Sequence, residues 1–231
     1  MAEVKKFRLG ILGGMGPEAG VLLQQLIIRV TPAQRDQDHI AVVTFTNPHI
    51  PDRTRSLAED GGASYLQAVI GSIHLLERCE VDLILMACNT AHARLPEIQD
   101  AVRTPILNMV GLAKEKIEAE AGKVAILATD GSVGNGLFNL PHNPAKTLVP
   151  SRTQQKQVMD VIHAVKAGRP PAELIAPITK VIEGLRAEGA SAFLLGCTEL
   201  SVLHDLLTEH CDVTFIDPLR LAAQRVVQSA W

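Results

Sequence analysis

Two cysteines carry the strongest chemical signal in this chain of 231 residues. Cys88 lies in Ala87-Cys88-Asn89-Thr90-Ala91-His92, and Cys197 lies in Gly196-Cys197-Thr198-Glu199-Leu200. Each follows a short apolar run and precedes polar residues that suit the opening of a helix. A thiol at a helix N-terminus meets free backbone N–H groups and the positive end of the dipole, and both favour thiolate. A free thiol, with a pKa of ~8.5, is only a few per cent ionised at pH 7, so a modest downward shift supplies a usable base. Two such thiols facing one cleft suit removal of a proton from one face of a carbon and delivery from the other. One begins as thiolate and the other as thiol, and reaction exchanges their states. A lone cysteine after a strand is ordinarily a small buried apolar residue; it is the matched pair that points to chemistry. Cys79 and Cys211 stand at unpatterned positions and read as structural.

Rival motifs are weaker. Cys88 and Arg94 have the C-x-x-x-x-x-R spacing of a cysteine phosphatase, but no Gly intervenes to cradle a phosphate and Cys197 is left without a role. Arg94 reads more simply as a solvated helix residue. The run Gly14-Met15-Gly16-Pro17-Glu18-Ala19 fits G-x-G-x-x-A after a strand. The acidic residue of a dinucleotide site is missing from the end of the second strand, where Thr46-Asn47-Pro48 stand. Pro17 removes a donor, and Glu18 adds negative charge where a pyrophosphate would sit. These glycines read instead as letting the backbone approach a small anion. The chain contains no G-x-S-x-G and no H-E-x-x-H. Its 4 cysteines show no C-x-x-C pair and its 8 histidines are scattered, which argues against a structural zinc site.

Alternating apolar runs and amphipathic segments must position the thiols. Strands are expected at Leu9–Leu12, Ile40–Phe45, Leu83–Ala87, Ile106–Asn108, Val124–Ala128, Thr147–Val149, Ala192–Leu195 and Val213–Ile216. After the first, Ala19, Leu22, Leu23, Leu26, Ile27 and Val30 fall on one helical face, with Pro17 in the first turn. The alternation predicts an α/β fold with parallel sheets covered by helices on both faces. It also repeats. Arg8–Gly14 resembles Lys123–Thr129, Asp82–Thr90 resembles Ser191–Glu199, and Ile106–Asn108 matches Phe215–Asp217, at offsets of 115, 109 and 109 residues. This predicts two pseudo-symmetric, doubly wound domains, 1–108 and 109–216, with the site in the cleft between them. The last helix, Pro218 to Trp231, is expected to return to the first domain.

Composition is consistent with a globular chain able to bury a core, at 47% hydrophobic residues. A net charge of −3 without a basic cluster points away from nucleic acid and membrane surfaces. No apolar run approaches the ~18 residues of a spanning helix. The start, Met1 to Arg8, is charged, and the apolar run after it ends at Gly13, too short for a signal peptide. A cytoplasmic protein with reduced cysteines is expected.

Taken together, Gly10 to Ala19, Ile50-Pro51-Asp52-Arg53-Thr54, Ala87 to His92, Leu127-Ala128-Thr129 and Gly196-Cys197-Thr198-Glu199 resemble the aspartate/glutamate racemase family, on its aspartate racemase branch. The resemblance spans nearly the whole chain, with the motifs in order. It implies an isomerase that interconverts L- and D-aspartate, or glutamate, with Cys88 and Cys197 as bases and neither pyridoxal phosphate nor metal. It implies that Asn89, Thr90 and Thr198 hold the α-carboxylate and α-amino groups, that Met15, Gly16 and Thr129 line the cleft, and that Glu199 marks the aspartate branch. It places Arg53 near the substrate's carboxylate end and Lys166 where that branch often carries a basic residue, which suits a dicarboxylate's need for cationic partners. A homodimer is the family expectation. Ser132 stands where the family often has Thr, and Phe138 where it has Tyr. His92 reads as a capping or packing residue. A related two-cysteine isomerase, such as one acting on maleate, a decarboxylase, and a non-catalytic amino-acid-binding protein are the alternatives on this fold.

Overall fold

A computed structural model of the chain describes residues 7–230. Trp231, the expected last residue of the final helix, lies outside the described residues.

The first half runs β1 (Arg8–Gly13), α1 (Pro17–Val30), β2 (Ala41–Thr46), α2 (Arg53–Asp60), α3 (Ala63–Glu77), β3 (Leu83–Met86) and α4 (Leu95–Asp100). The second runs α5 (Met109–Ala119), β4 (Lys123–Leu127), α6 (Asp130–Gly134), β5 (Thr147–Leu148), α7 (Arg152–Lys166), α8 (Pro171–Ala187), β6 (Ala190–Leu195), α9 (Thr198–Val202), α10 (His204–His210), β7 (Thr214–Ile216) and α11 (Pro218–Ala230). The strands form two parallel sheets, of order β2-β1-β3 and β5-β4-β6-β7. Ile106 adds a single parallel bridge to Ile84, in the place that β7 holds beside β6. The two sheets therefore share one strand order, as the sequence repeat predicts.

Two strands are shorter than their apolar patterns. Ile106–Asn108 contracts to that one bridge because Asn108 instead caps α5, its Oδ1 accepting the Gly111 N–H at 2.8 Å. The second strand of the pattern in the second half ends at Leu148, leaving Val149 47% exposed. Pro150 follows without an N–H to donate, and Ser151 opens α7 with a capping box to Gln154. On α1 the expected face is buried at Ala19, Leu23, Leu26 and Ile27, while Val30 at the helix end is exposed.

Helices cover both faces of each sheet. Tyr65, Val69, Ile73 and Leu76 of α3 pack with Leu12, Ile84 and Met86 on one face of the first sheet. Leu23 and Ile27 of α1 and Leu219, Ala222 and Val226 of α11 pack with Leu9, Ile11 and Leu85 on the other. In the second sheet, α7 and α8 bury Val158, Ile162, Ile178 and Ile182 against Phe193 and Leu195. Helix α5 joins two of these cores: Met109 belongs with Leu9 and Ile11, while Val110, Ala113 and Ile117 pack on Val124 and Ile126. The halves are thus knit through shared helices rather than a linker.

Gly14 fixes the turn that leaves β1. Its φ is +98°, and a Cβ there would lie 2.3 Å from the Asn47 carbonyl. Gly71, by contrast, sits inside α3 with open space around its missing side chain. Gly14→Ala is expected to lower unfolding stability by about 2–5 kcal/mol through backbone strain and overlap. Gly71→Ala is expected to raise it by about 0.5–1 kcal/mol. Urea denaturation of both variants checks this pair of opposite signs.

Candidate active site

The carboxyl ends of β1, β3, β4 and β6 open toward one cleft, the position at which parallel α/β sheets bind ligands. Met15 enters from the turn after β1, and Cys88, Asn89 and Thr90 follow β3. From the second half come Thr129 after β4, and Cys197, Thr198 and Glu199 after β6. Lys166 reaches in from the last residue of α7, and Arg53 from the first residue of α2. Gly16 borders an adjoining depression that shares Lys166 and Glu199 with the cleft. The volume left inside is about 10 Å³, room for one water at most. The structure is that of a closed cleft, and a ligand the size of an amino acid enters only if the halves part.

The contacts that close it are polar. The Thr90 hydroxyl lies 3.0 Å from that of Thr129 and 3.0 Å from that of Ser132. Thr129 in turn caps α6, accepting the Ser132 N–H at 3.2 Å. Thr198 donates its hydroxyl to the Ala87 carbonyl at 3.4 Å. Gly16 donates its N–H to Glu199 Oε1 at 3.1 Å, and a Cβ on Gly16 would stand 3.0 Å from that oxygen. The small anion that the Gly-rich turn approaches is therefore the chain's own carboxylate.

The two cysteines sit in unlike surroundings. Cys197 is buried, and its Sγ donates to Glu199 Oε2 at 2.8 Å. Burial first, and then the neighbouring carboxylate, push this thiol well above the ordinary range, with Lys166 opposing. This corrects the expectation of a thiolate favoured by a helix N-terminus. Helix α9 has only 5 residues, and a carboxylate at hydrogen-bond distance outweighs its partial positive end. Cys88, also buried, is followed not by an α-helix but by a 3-10 turn over Thr90–Arg94. Its carbonyl accepts from His92 Nδ1 at 2.8 Å. Burial lowers the pKa of that imidazole, which favours a neutral ring with its proton on Nδ1. His92 thus packs and pins the Cys88 backbone, and its ring does not line the cleft.

Asn89 is 1% exposed, and neither its Oδ1 nor its Nδ2 has a partner. A buried amide with both ends unpaired is rare in a folded protein. A ligand bearing a donor and an acceptor, such as an ammonium beside a carboxylate, satisfies both. Arg53 is buried, with Nη1 donating to the Ile50 and Pro51 carbonyls and Nη2 to the Met15 carbonyl. Its Nε alone lacks a partner. A two-bond grip on a carboxylate would replace some of these backbone contacts. Lys166 Nζ lies 3.8 Å from Glu199 Oε1.

Three lining or supporting residues were given no site role by the sequence. Asp52 caps α2, accepting the Arg55 N–H at 2.8 Å, and Thr54 packs so closely on α6 that a Cβ on Gly131 would lie 2.9 Å from its Cα. Ser132 joins the hydroxyl cluster. The Asp at a helix start was the one readable cue among them. Phe138 stays out of the cleft: it is 1% exposed in the second core, beneath Gly196, where a Cβ would lie 2.9 Å from its ring. Arg94 pairs with Glu97 at 2.7 Å and donates to the Gly61 carbonyl, away from any phosphate cradle. Cys211 is buried and 3.5 Å from the Thr179 hydroxyl, and Cys79 is exposed. Among the described residues no three His, Cys, Asp or Glu side chains cluster to hold a metal ion, and no helix is long and apolar enough to cross a membrane.

Comparison with known proteins gives a consistent picture. A family model described as Asp/Glu/Hydantoin racemase matches residues 12–226. A broad specificity amino-acid racemase of Bacillus subtilis (strain 168) is 26% identical over 96% of this chain and 97% of its own length. The structure of Picrophilus torridus aspartate racemase superposes with a TM-score of 0.84, at 32% identity, covering 97% of this chain and 94% of that one. An aspartate racemase homologue from Pyrococcus horikoshii shares the fold with a TM-score of 0.72 at 21% identity, over 98% of this chain and 99% of that one.

The unpaired Asn89 amide predicts a conflict between stability and binding. Asn89→Leu, close in volume, removes two unsatisfied buried groups and is expected to raise unfolding stability by about 1 kcal/mol or more. It is expected at the same time to abolish ligand binding in the cleft. Thermal unfolding and calorimetric titration of the one variant check both halves.

Proposed function

The chain belongs to the Asp/Glu/hydantoin racemase family, and on that premise we propose that it is a racemase of a small acidic amino acid, with aspartate as the preferred substrate. The observation that carries the reading is the placement of Cys88 and Cys197 at equivalent points of two like-ordered sheets, in one closed cleft beside the unpaired Asn89 amide. The proposed chemistry needs no cofactor. A thiolate on one side takes the Cα proton, and a thiol on the other side gives its proton to the opposite face. The Cα–H bond electrons pass into the α-carboxylate as the carbanion forms.

The Cα proton is weakly acidic and a thiolate is a modest base, so the protein must stabilise the carbanion. Preorganised donors in a water-free cleft do this, each contributing up to ~3 kcal/mol. The backbone N–H groups after the two cysteines, and the Asn89 amide, are the proposed donors. Closure of the cleft around the substrate strengthens each contact by excluding water. In the direction in which Cys88 is the base, Cys197 already holds the proton to be delivered. In the other direction Cys197 must first lose it.

Aspartate is favoured by the resemblance of Glu199 to the aspartate branch and by the Picrophilus torridus relative. A second reading, broad specificity, draws on two observations. The Bacillus subtilis relative is named a broad specificity racemase, and the cleft's cations already have partners within the chain, Arg53 on backbone carbonyls and Lys166 on Glu199. The proposed setting, from the same resemblance, is a homodimer in the cytoplasm.

The test is racemisation by the reduced protein, with no cofactor added, of L-aspartate, L-glutamate and neutral amino acids, followed by chiral chromatography. The expected result is turnover of aspartate, reduced at least about 100-fold in both Cys88→Ser and Cys197→Ser. Full activity in either variant would overturn the two-base reading. Tight aspartate binding by calorimetry without any turnover would support a binding protein instead, and turnover of neutral amino acids alone would shift the substrate.

A further inference from the structure

The Glu199 carboxylate stands between two groups that the racemase reading uses separately. Oε2 accepts the Cys197 thiol proton at 2.8 Å, while Oε1 faces Lys166 Nζ at 3.8 Å and accepts the Gly16 N–H at 3.1 Å. The Glu199 side chain is 5% exposed, so solvent screens these interactions little. The charged and titratable groups that face the Cys197 thiol are Glu199 on its own helix, Lys166 from α7, and Cys88, Asp52 and Arg53 across the cleft. A buried thiolate and a buried carboxylate in direct contact repel so strongly that the pair retains one proton between them. Cys197 therefore needs a place for its proton before it can accept another from Cα.

We propose, resting on the racemase reading above, that Glu199 is the positioning residue that takes up the Cys197 proton when Cys197 acts as base, and that Lys166 controls this transfer by leaving Glu199 for the substrate's second carboxylate. The Cys197 S–H bond breaks and an O–H bond forms on Glu199 Oε2, giving a thiolate and a carboxylic acid with no change in total charge. The thiolate then takes the Cα proton, and the Cys88 thiol delivers its own to the opposite face and becomes the thiolate. In reverse, Cys88 takes the Cα proton, Cys197 gives up its S–H proton, and Glu199 returns a proton to the sulfur. Cys88, Cys197 and Glu199 hold two protons among them before and after each turnover, and three while the substrate is a carbanion.

Lys166 sets when this happens. While it faces Glu199 it stabilises the ionised carboxylate and so holds the proton on sulfur. When its charge turns to a substrate carboxylate, Glu199 loses a cation and accepts the proton. A dicarboxylic substrate thereby activates the thiol that will attack it, whereas a neutral amino acid leaves Lys166 in place.

The experiment combines kinetics with ultraviolet titration of thiolate absorbance in the full-length protein. It uses the wild type, Glu199→Gln, Glu199→Asp and Lys166→Met, each also in a Cys88→Ser background so that the change at Cys197 stands out. Titration in the absence of substrate should move to lower pH in Glu199→Gln, and Lys166→Met, which deprives Glu199 of its cation as the substrate would, should show thiolate absorbance at neutral pH that the wild type lacks. For aspartate racemisation, kcat should fall about 100-fold in Glu199→Gln with KM little changed, and recover in part in Glu199→Asp. The two enantiomers are equal in energy, so the loss appears in both directions. Titrations that do not move, or a Glu199→Gln enzyme that keeps its kcat and changes only in KM, would overturn the proposal. A wild type that racemises no amino acid would remove the activity reading, and the two titration results would still decide the link between Cys197 and Glu199.

Discussion

Glu199, 4% exposed, cannot keep a carboxylate in the interior without partners, and the cleft is arranged by the groups that supply them. The turn after β1 contributes the Gly16 N–H, and only a glycine fits there without its Cβ approaching the same oxygen to 3.0 Å. The end of α7 contributes Lys166, and the end of β6 contributes the Cys197 thiol. Elements from both halves are tied at this one side chain. Its placement explains why the turn after β1 has the form of a phosphate-binding loop yet carries Pro17 and Glu18: the anion it receives is internal.

A nearly symmetric scaffold therefore holds an asymmetric site. The two sheets have the same order, and the cysteines stand at matching points past β3 and β6. Around Cys197, burial and a carboxylate favour the protonated sulfur. Around Cys88, the neighbouring polar group is the unpaired Asn89 amide, and His92 holds the backbone from behind. Closure by hydroxyl pairs, Thr90 to Thr129 and Ser132, gives contacts that a ligand's own polar atoms can replace one for one. Exchanging each of these hydrogen bonds for one to a ligand changes the free energy by about 1 kcal/mol.

Much of this was legible in the residues. Short apolar runs located the strands, amphipathic segments between them the main helices, and the internal repeat revealed the shared sheet order. The paired cysteines were visible because chemistry-bearing residues recurred at matching points past two strands. What escaped had particular physical causes. Asn108 turned an expected strand into a helix cap. The pKa direction at Cys197 depended on where the Glu199 side chain bends, two residues on, and sequence gives spacing without rotamer. Arg53 lines the cleft, as its type suggested, but the hold that the Ile50, Pro51 and Met15 carbonyls have on its Nη groups is a tertiary contact that spacing does not announce. Thr54 and Asp52 reach the cleft only because α2 settles on α6 through Gly131, a tertiary contact with no local signature.

The central claim is that two separate thiols serve the two faces of one carbon. The most direct measurement is the fate of hydrogen at Cα during the first turnovers of L-aspartate in D2O, read by mass spectrometry on each enantiomer after chiral separation. The account predicts that D-aspartate forms carrying deuterium at Cα while the remaining L-aspartate still carries protium, because the donor thiol has exchanged with solvent and the acceptor is a different group. Deuterium appearing equally in the recovered L-aspartate, or protium carried from substrate into product, would mean that a single base serves both faces and would contradict it.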